Sequence, residues 1–133
     1  KMIVVAFGVE NSESRCDFKD VSPEMWCYKY ISSAADSGLI QGIGDKMFGI
    51  GMPITREDMA TILWNGISKK VTAEKGKKFA DDDDISDYAK EAVVMLRRIG
   101  IVEGSGNNMF APKLNATRAE AAAMLYRTLL VTE

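Results

Sequence analysis

The sequence contains no histidine. That absence removes the commonest general base near neutral pH and the commonest zinc ligand, and it excludes serine or cysteine triads of the usual type. Only two cysteines are present, Cys16 and Cys27, too few for a Cys-rich zinc site or a disulfide framework. Idle thiols and a disulfide across the ten intervening residues are both compatible with their spacing. Long apolar runs are also missing. The opening stretch Met2 to Phe7 falls far short of the ~20 residues a membrane span requires, and it lacks the charged flank and cleavage site of a secretory signal. Neither charge sign dominates. With 17 basic and 19 acidic side chains the formal charge is −2, which gives no basis for nucleic-acid or anionic-membrane binding.

What is present is an ordinary globular composition, 47% hydrophobic and 27% charged over 133 residues, enough to build a core without staples. The chain is also internally repetitive. Phe18-Lys19-Asp20-Val21 recurs as Phe79-Ala80-Asp81-Asp82, 61 residues on. After a one-residue insertion in the Asp81 to Asp84 run, the offset becomes 62. At that offset Gly38, Gly42, Gly44, Met47, Phe48, Thr55, Arg56, Ala60 and Leu63 meet identical residues, Gly100 through Leu125. The opening residues 1–8 read as the end of a helix closed by Gly8 and fit the same frame, since Met2-Ile3 aligns with Ile62-Leu63 and Met124-Leu125. The expected organisation is the last helix of an upstream repeat over 1–13, a repeat with its linker over 14–74, and a second repeat over 75–133.

Each repeat reads as helix, turn, helix. The spacing of Trp26, Tyr30, Ile31, Ala34 and Ala35 predicts a first helix from about Pro23 to Ser37, stopped by Gly38. Tyr88, Ala92, Val93, Met95, Leu96 and Ile99 predict its counterpart, stopped by Gly100. A glycine-rich turn follows, Gly42 to Asp45 or Gly104 to Asn107. The second helix opens at Thr55 or Thr117, whose hydroxyls are placed to cap it; Glu120 completes a capping box better than Asp58, which is one methylene shorter. Met59, Ile62, Leu63 and Ile67, and Ala121, Ala122, Leu125 and Leu129, are expected to face a core. Repeats of ~60 residues with two helices bury their apolar faces on one another, so the fold class is all-α, tandem helix-loop-helix repeats around a shared helical core.

The order Phe-x-Asp-Val, Trp26, Gly38-Leu39-Ile40-x-Gly42, a phenylalanine after the turn and Ile54-Thr55-Arg56-Glu57 resembles the S-layer homology domain of bacterial cell-surface proteins. The second copy is similar, with Phe79-Ala80-Asp81, Tyr88, Gly100 to Gly104, Phe110-Ala111-Pro112 and Thr117-Arg118-Ala119-Glu120, and the resemblance covers 18–67 and 79–129. It implies a non-catalytic anchor, in a pseudo-threefold array of three repeats, that attaches surface proteins, enzymes or cellulosome components to secondary cell-wall polysaccharide, often pyruvylated, at the bacterial cell surface. Carried over residue by residue, it implies recognition by Arg56 and Arg118, Asp20 and Asp81, Trp26, and the turn glycines Gly42 and Gly104. A guanidinium at a helix start suits a planar carboxylate, an indole suits a sugar face, and glycine admits close approach. The competing reading of Arg56 and Arg118 is surface pairing with Glu57, Asp58 or Glu120; that of Trp26 and Tyr88 is core packing. The implied partners are the wall polymer and other repeats of the same family, in this or another chain; no cofactor or metal is implied.

Departures from the pattern are Tyr88 for tryptophan, Ile50 where the second copy has Pro112, and Ala116 before Thr117. Residues 1–8 alone represent the upstream repeat, so the chain is expected to be a piece of a longer array. Asp81 to Asp84 suggests calcium, but Ser86 and Ala92 stand where an EF-hand loop needs glycine and glutamate. Asn115-Ala116-Thr117 matches a glycosylation sequon, although Thr117 already has a capping task. Lys69, Lys70, Lys75, Lys77 and Lys78 form a solvated connector, with attraction to an anionic polymer as a lesser alternative. The glycine turns lack the lysine and adjoining helix of a phosphate loop. Two other functions compete with the anchor: an assembly module that keeps the scaffold without the sugar site, and a wall hydrolase, for which no carboxylate pair is nominated.

Overall fold

A computed structural model describes residues 1–72, 74 and 76–132; Lys75 of the connector lies outside them. The described residues contain five α-helices, α1 (Met2–Ala6), α2 (Tyr28–Asp36), α3 (Arg56–Ile67), α4 (Asp87–Arg98) and α5 (Arg118–Leu130), one 3-10 turn (Asp82–Asp84) and no β-strand. No helix among them is long and apolar enough to cross a membrane. The all-α expectation therefore holds. The chain divides into two compact units, Lys1–Met52 and Pro53–Glu133. The division is staggered with respect to the sequence repeat, because α1 packs with α2 while α3, the second helix of the first repeat, packs with α4 and α5.

In the first unit, Val4, Ala34 and Leu39 form a small core, with Ile3, Phe7, Tyr30 and Ile40 packed around it. The predicted helix from Pro23 begins later, at Tyr28. Ser22 and Pro23 instead form a turn, with the Met25 amide donating to the Ser22 carbonyl at 3.0 Å and the Tyr28 amide to the Met25 carbonyl at 3.0 Å. Proline's fixed φ serves position two of such a turn as well as it serves a helix start. Trp26 consequently lies outside the helix and is 78% exposed. Cys16 and Cys27 are free thiols, the first accepting from the Ser32 hydroxyl at 3.3 Å.

In the second unit the core is made by Met59, Ala60, Leu63 and Ile67 of α3, Ala89, Ala92, Val93 and Leu96 of α4, Ile101, Phe110, Met124 and Leu125. Both predicted caps form. The Thr55 side chain accepts from the Asp58 amide, and Thr117 makes the full capping box with Glu120. Toward the helix start, Asp58 reaches the Thr55 hydroxyl, at 2.6 Å, and not the Thr55 amide, as its shorter side chain requires. Ala122, expected to be a core residue, is exposed, whereas its counterpart Ala60 is fully buried. The reason is that α4 covers this face of α3, while α5 buries Met124, Leu125 and Thr128 instead.

The same loop closes both units. In one, Gly44 and Met47 bridge around Asp45 and Lys46 at positive φ; in the other, Gly106 and Met109 bridge around Asn107 and Asn108. Positive φ at both central residues gives the tight two-residue turn whose twist suits a hairpin. Asp20 accepts from the Phe48, Gly49 and Ile50 amides at 2.8, 2.8 and 2.9 Å. Asp81 accepts from the Phe110 and Ala111 amides at 2.8 and 2.7 Å. Phe18 packs on Phe48 and Phe79 on Phe110, with ring centroids 5.8 and 5.4 Å apart.

Asp81 is buried, so Asp81→Ala leaves two amides without an acceptor, and urea denaturation is expected to show a loss of about 3 kcal/mol. The Phe48 amide foremost holds the Asp20 carboxyl below the usual carboxylate range. Its contribution is therefore fully present above the ordinary value, about 4, and disappears as pH falls through the lower folded value. Melting temperatures recorded from about pH 7 to about pH 2.5 should fall below pH ~4, and less steeply in Asp20→Asn.

Candidate functional site

Trp26, Asp20 and Gly42 belong to the first unit; Arg56, Asp81, Gly104 and Arg118 belong to the second. Asp20 and Gly42 meet at the loop. A Cβ at Gly42, whose φ is +80°, would stand 2.5 Å from the Met47 carbonyl oxygen and 2.7 Å from the Phe18 ring. The close approach that this glycine permits is thus already taken by the chain itself. Trp26 is set edge-on to Tyr30, 6.5 Å between centroids, and the Tyr30 ring also faces the ammonium groups of Lys1 and Lys29. One indole face at high exposure is what a sugar-stacking residue requires.

In the second unit, Arg56 and Asp81 converge on Phe110, and Gly104 lies against Met109, the residue before that phenylalanine. The Arg56 side chain is only 8% exposed. Its Nε donates to the Phe110 carbonyl at 2.8 Å, Nη2 to the Glu103 carbonyl at 3.2 Å, and Nη1 to the Glu120 carboxylate. The guanidinium also lies 5.0 Å from the Phe110 ring centroid. Asp81 holds the amide of the same phenylalanine. A Cβ at Gly104 would sit 2.8 Å from the Met109 carbonyl oxygen. Arg56 reaches this place because the start of α3 is bound to the segment before α5: the Arg56 amide donates to the Leu114 carbonyl at 2.8 Å, and Ala116 returns a bond to Ile54 at 2.9 Å.

Glu120 joins this node to the next helix. Its Oε2 accepts from the Thr117 amide at 2.8 Å, and that bond, ahead of the Arg56 charge, holds its carboxyl below the ordinary range. Arg118 differs from Arg56 although both follow a capping threonine. It is exposed at the start of α5 and has no ion-pair or hydrogen-bond partner among the described residues. The two arginines carry one motif into two environments.

A polar cluster that the sequence reading did not nominate lies beside α3. Glu57, only 3% exposed, accepts from the Ser86 amide and hydroxyl, both at 2.9 Å, and pairs with Lys113 at 2.6 Å. The Tyr88 hydroxyl donates to Asp58 at 2.7 Å while the ring stays largely exposed. Partial desolvation of the hydroxyl, followed by the Asp58 contact, raises its pKa above the normal phenol range. The one sequence signal for this cluster was that Glu57 has Ala119 at the equivalent position. Such a cluster is a lock between helices, with every Glu57 oxygen satisfied.

Comparison with known proteins identifies a family. The model of the S-layer homology domain matches residues 17–60 and 78–122. The chain is 38% identical over 130 residues to an amylopullulanase of Thermoanaerobacterium thermosulfurigenes, an alignment that takes in 94% of this chain and 7% of that protein. It is 35% identical over 129 residues to the exoglucanase XynX of Acetivibrio thermocellus, covering 94% of this chain and 12% of that protein. A cellulosome-anchoring protein of the same organism is 28% identical over 125 residues, covering 90% of this chain and 28% of that protein. The chain thus spans a minor part of each of these curated relatives, a part shared by proteins with unrelated names. With both copies matched over more than half its residues, it belongs to the S-layer homology domain family.

Proposed function

We propose that the chain is a non-catalytic module that anchors a surface protein to the bacterial cell wall by binding secondary cell-wall polysaccharide, with a pyruvate ketal as the recognised group. The observation that carries the reading is the pair of family repeats, each with its loop and capped helix intact. The relative named as a cellulosome-anchoring protein shares this region, and so do the two named as carbohydrate-active enzymes, as an anchor attached to different cargoes would. Arg118 and Trp26 have groups free to meet a ligand, one for the carboxylate and one for a sugar face. Asp20 and Gly42 contribute by fixing the loop of the first unit, and Arg56, Asp81 and Gly104 by fixing that of the second.

A second reading, an assembly module without sugar binding, is favoured by the uncovered face of α5, where Tyr126 and Leu130 are 63% and 53% exposed. Co-sedimentation with purified walls separates the two. Binding that vanishes once the secondary polymer is stripped supports the anchor; equal binding to stripped walls refutes it. Concentration-dependent self-association without wall binding identifies the assembly module.

The two arginines are expected to respond differently to truncation. Arg56→Ala unpairs Glu120 and two carbonyls and should cost about 2–3 kcal/mol in urea denaturation. Arg118→Ala should change stability by less than about 0.5 kcal/mol while weakening wall binding about tenfold.

A further inference from the structure

At the end of α4 the second unit has a cleft of about 410 Å³ lined by Phe79, Arg97, Val102, Glu103, Gly104 and Asn108. That volume lies within the ~300–1,000 Å³ typical of small-ligand sites. Among the described residues no carboxylate pairs with Arg97: its guanidinium lies 3.9 Å from the Phe79 ring centroid, and Nη2 donates to the neutral Asn108 side chain at 2.7 Å. Its Nη1 is shielded and has no acceptor among the described residues. A shielded donor without a partner is uncommon in a folded protein and calls for an acceptor from elsewhere. Glu103, the acidic residue on the cleft wall, is engaged by Arg127 at 3.2 Å. Stacking on Phe79 holds the guanidinium plane fixed, which lowers the entropy lost when it meets a planar anion.

Phe79 and Gly104 of this cleft belong to the repeat motif, but Arg97 and Asn108 do not. The residue equivalent to Arg97 in the first copy is Ala35, and the equivalent of Asn108 is Lys46, which pairs with Asp17 at 2.7 Å. We propose that the Arg97 cleft is an oxyanion subsite for the wall polymer, particular to the second unit and separate from the motif arginine Arg56. The inference rests on the wall-anchoring reading. A carboxylate suits the guanidinium fork best, and a phosphate presents the same oxyanion chemistry.

The test titrates the wild-type chain, Arg97→Gln and Arg97→Lys against intact Acetivibrio thermocellus walls and against walls whose carboxylates have been amidated. Inorganic phosphate serves as a competitor. Arg97→Gln should bind intact walls at least about tenfold more weakly, with Arg97→Lys between it and wild type. Amidation should bring wild type down to the level of Arg97→Gln and leave that variant unchanged, because the two changes remove one contact. Competition by phosphate with no effect of amidation would assign the same subsite to a phosphate group. Equal binding of intact walls by folded wild type and both variants overturns the subsite and leaves the anchor standing. Failure of the wild-type chain to bind walls overturns the reading beneath it. Circular dichroism melts establish folding, and if Arg97→Gln does not fold, the Arg97→Lys titration decides.

Discussion

A loop that turns back on itself outside any helix or sheet leaves a row of backbone amides with no internal partner, and burying such groups unpaired costs free energy comparable to a lost hydrogen bond. Both units meet this demand with one carboxylate. Asp20 takes three consecutive amides and Asp81 takes two, and in each case the amides bracket the phenylalanine that plugs the loop. In both loops the glycine ahead of the turn lets the returning carbonyl approach within a distance no Cβ would tolerate, and at Gly42 it does the same for the Phe18 ring. The rest is assembled on this arrangement: the loop fixes Phe110, Phe110 offers its carbonyl to Arg56, and Arg56 draws Glu120 and the start of α5 into place.

The Thr-Arg pair of the repeat therefore does two different things. The threonine behaves identically in both copies, since a helix start needs only a local acceptor for its amides. The arginine depends on what stands beside the helix. Beside α3 lie the closed loop, with two carbonyls, and the Glu120 carboxylate of α5, and Arg56 is consumed by them; among the described residues Arg118 has no such neighbours. A motif thus carries a local conformation reliably and a binding role only in context. For that reason the proposed recognition rests on groups outside the closed loops, Arg118 and Trp26, more than on the motif taken whole.

The all-α class, the helix caps, the glycine stops and the pairing of the two loops were legible because each depends on residues within a few positions of one another. Gly38 and Gly100, at φ of +77° and +78°, end their helices as the pattern requires. The start of α2 was misjudged because Pro23 is equally suited to a turn, and Ala122 because burial depends on whether another helix arrives. Site residues were legible by type but not by availability. Nothing in the order of residues announces that Glu103 and Phe110 will present their carbonyls to Arg56, or that Arg97 will lie over Phe79, since those contacts join segments 47, 54 and 18 residues apart.

Glu57 gives the array a direction. Its carboxylate is enclosed by Ser86 and Lys113, which belong to the following repeat, while the same position on α5 is Ala119. An exchange of α3 with α5 would bury a methyl group where a charge is expected and leave a lysine and a serine facing it without an acceptor. Two copies that share a loop and a threonine cap are in this way keyed to their own places in the chain. The order of the repeats is written into a single buried carboxylate.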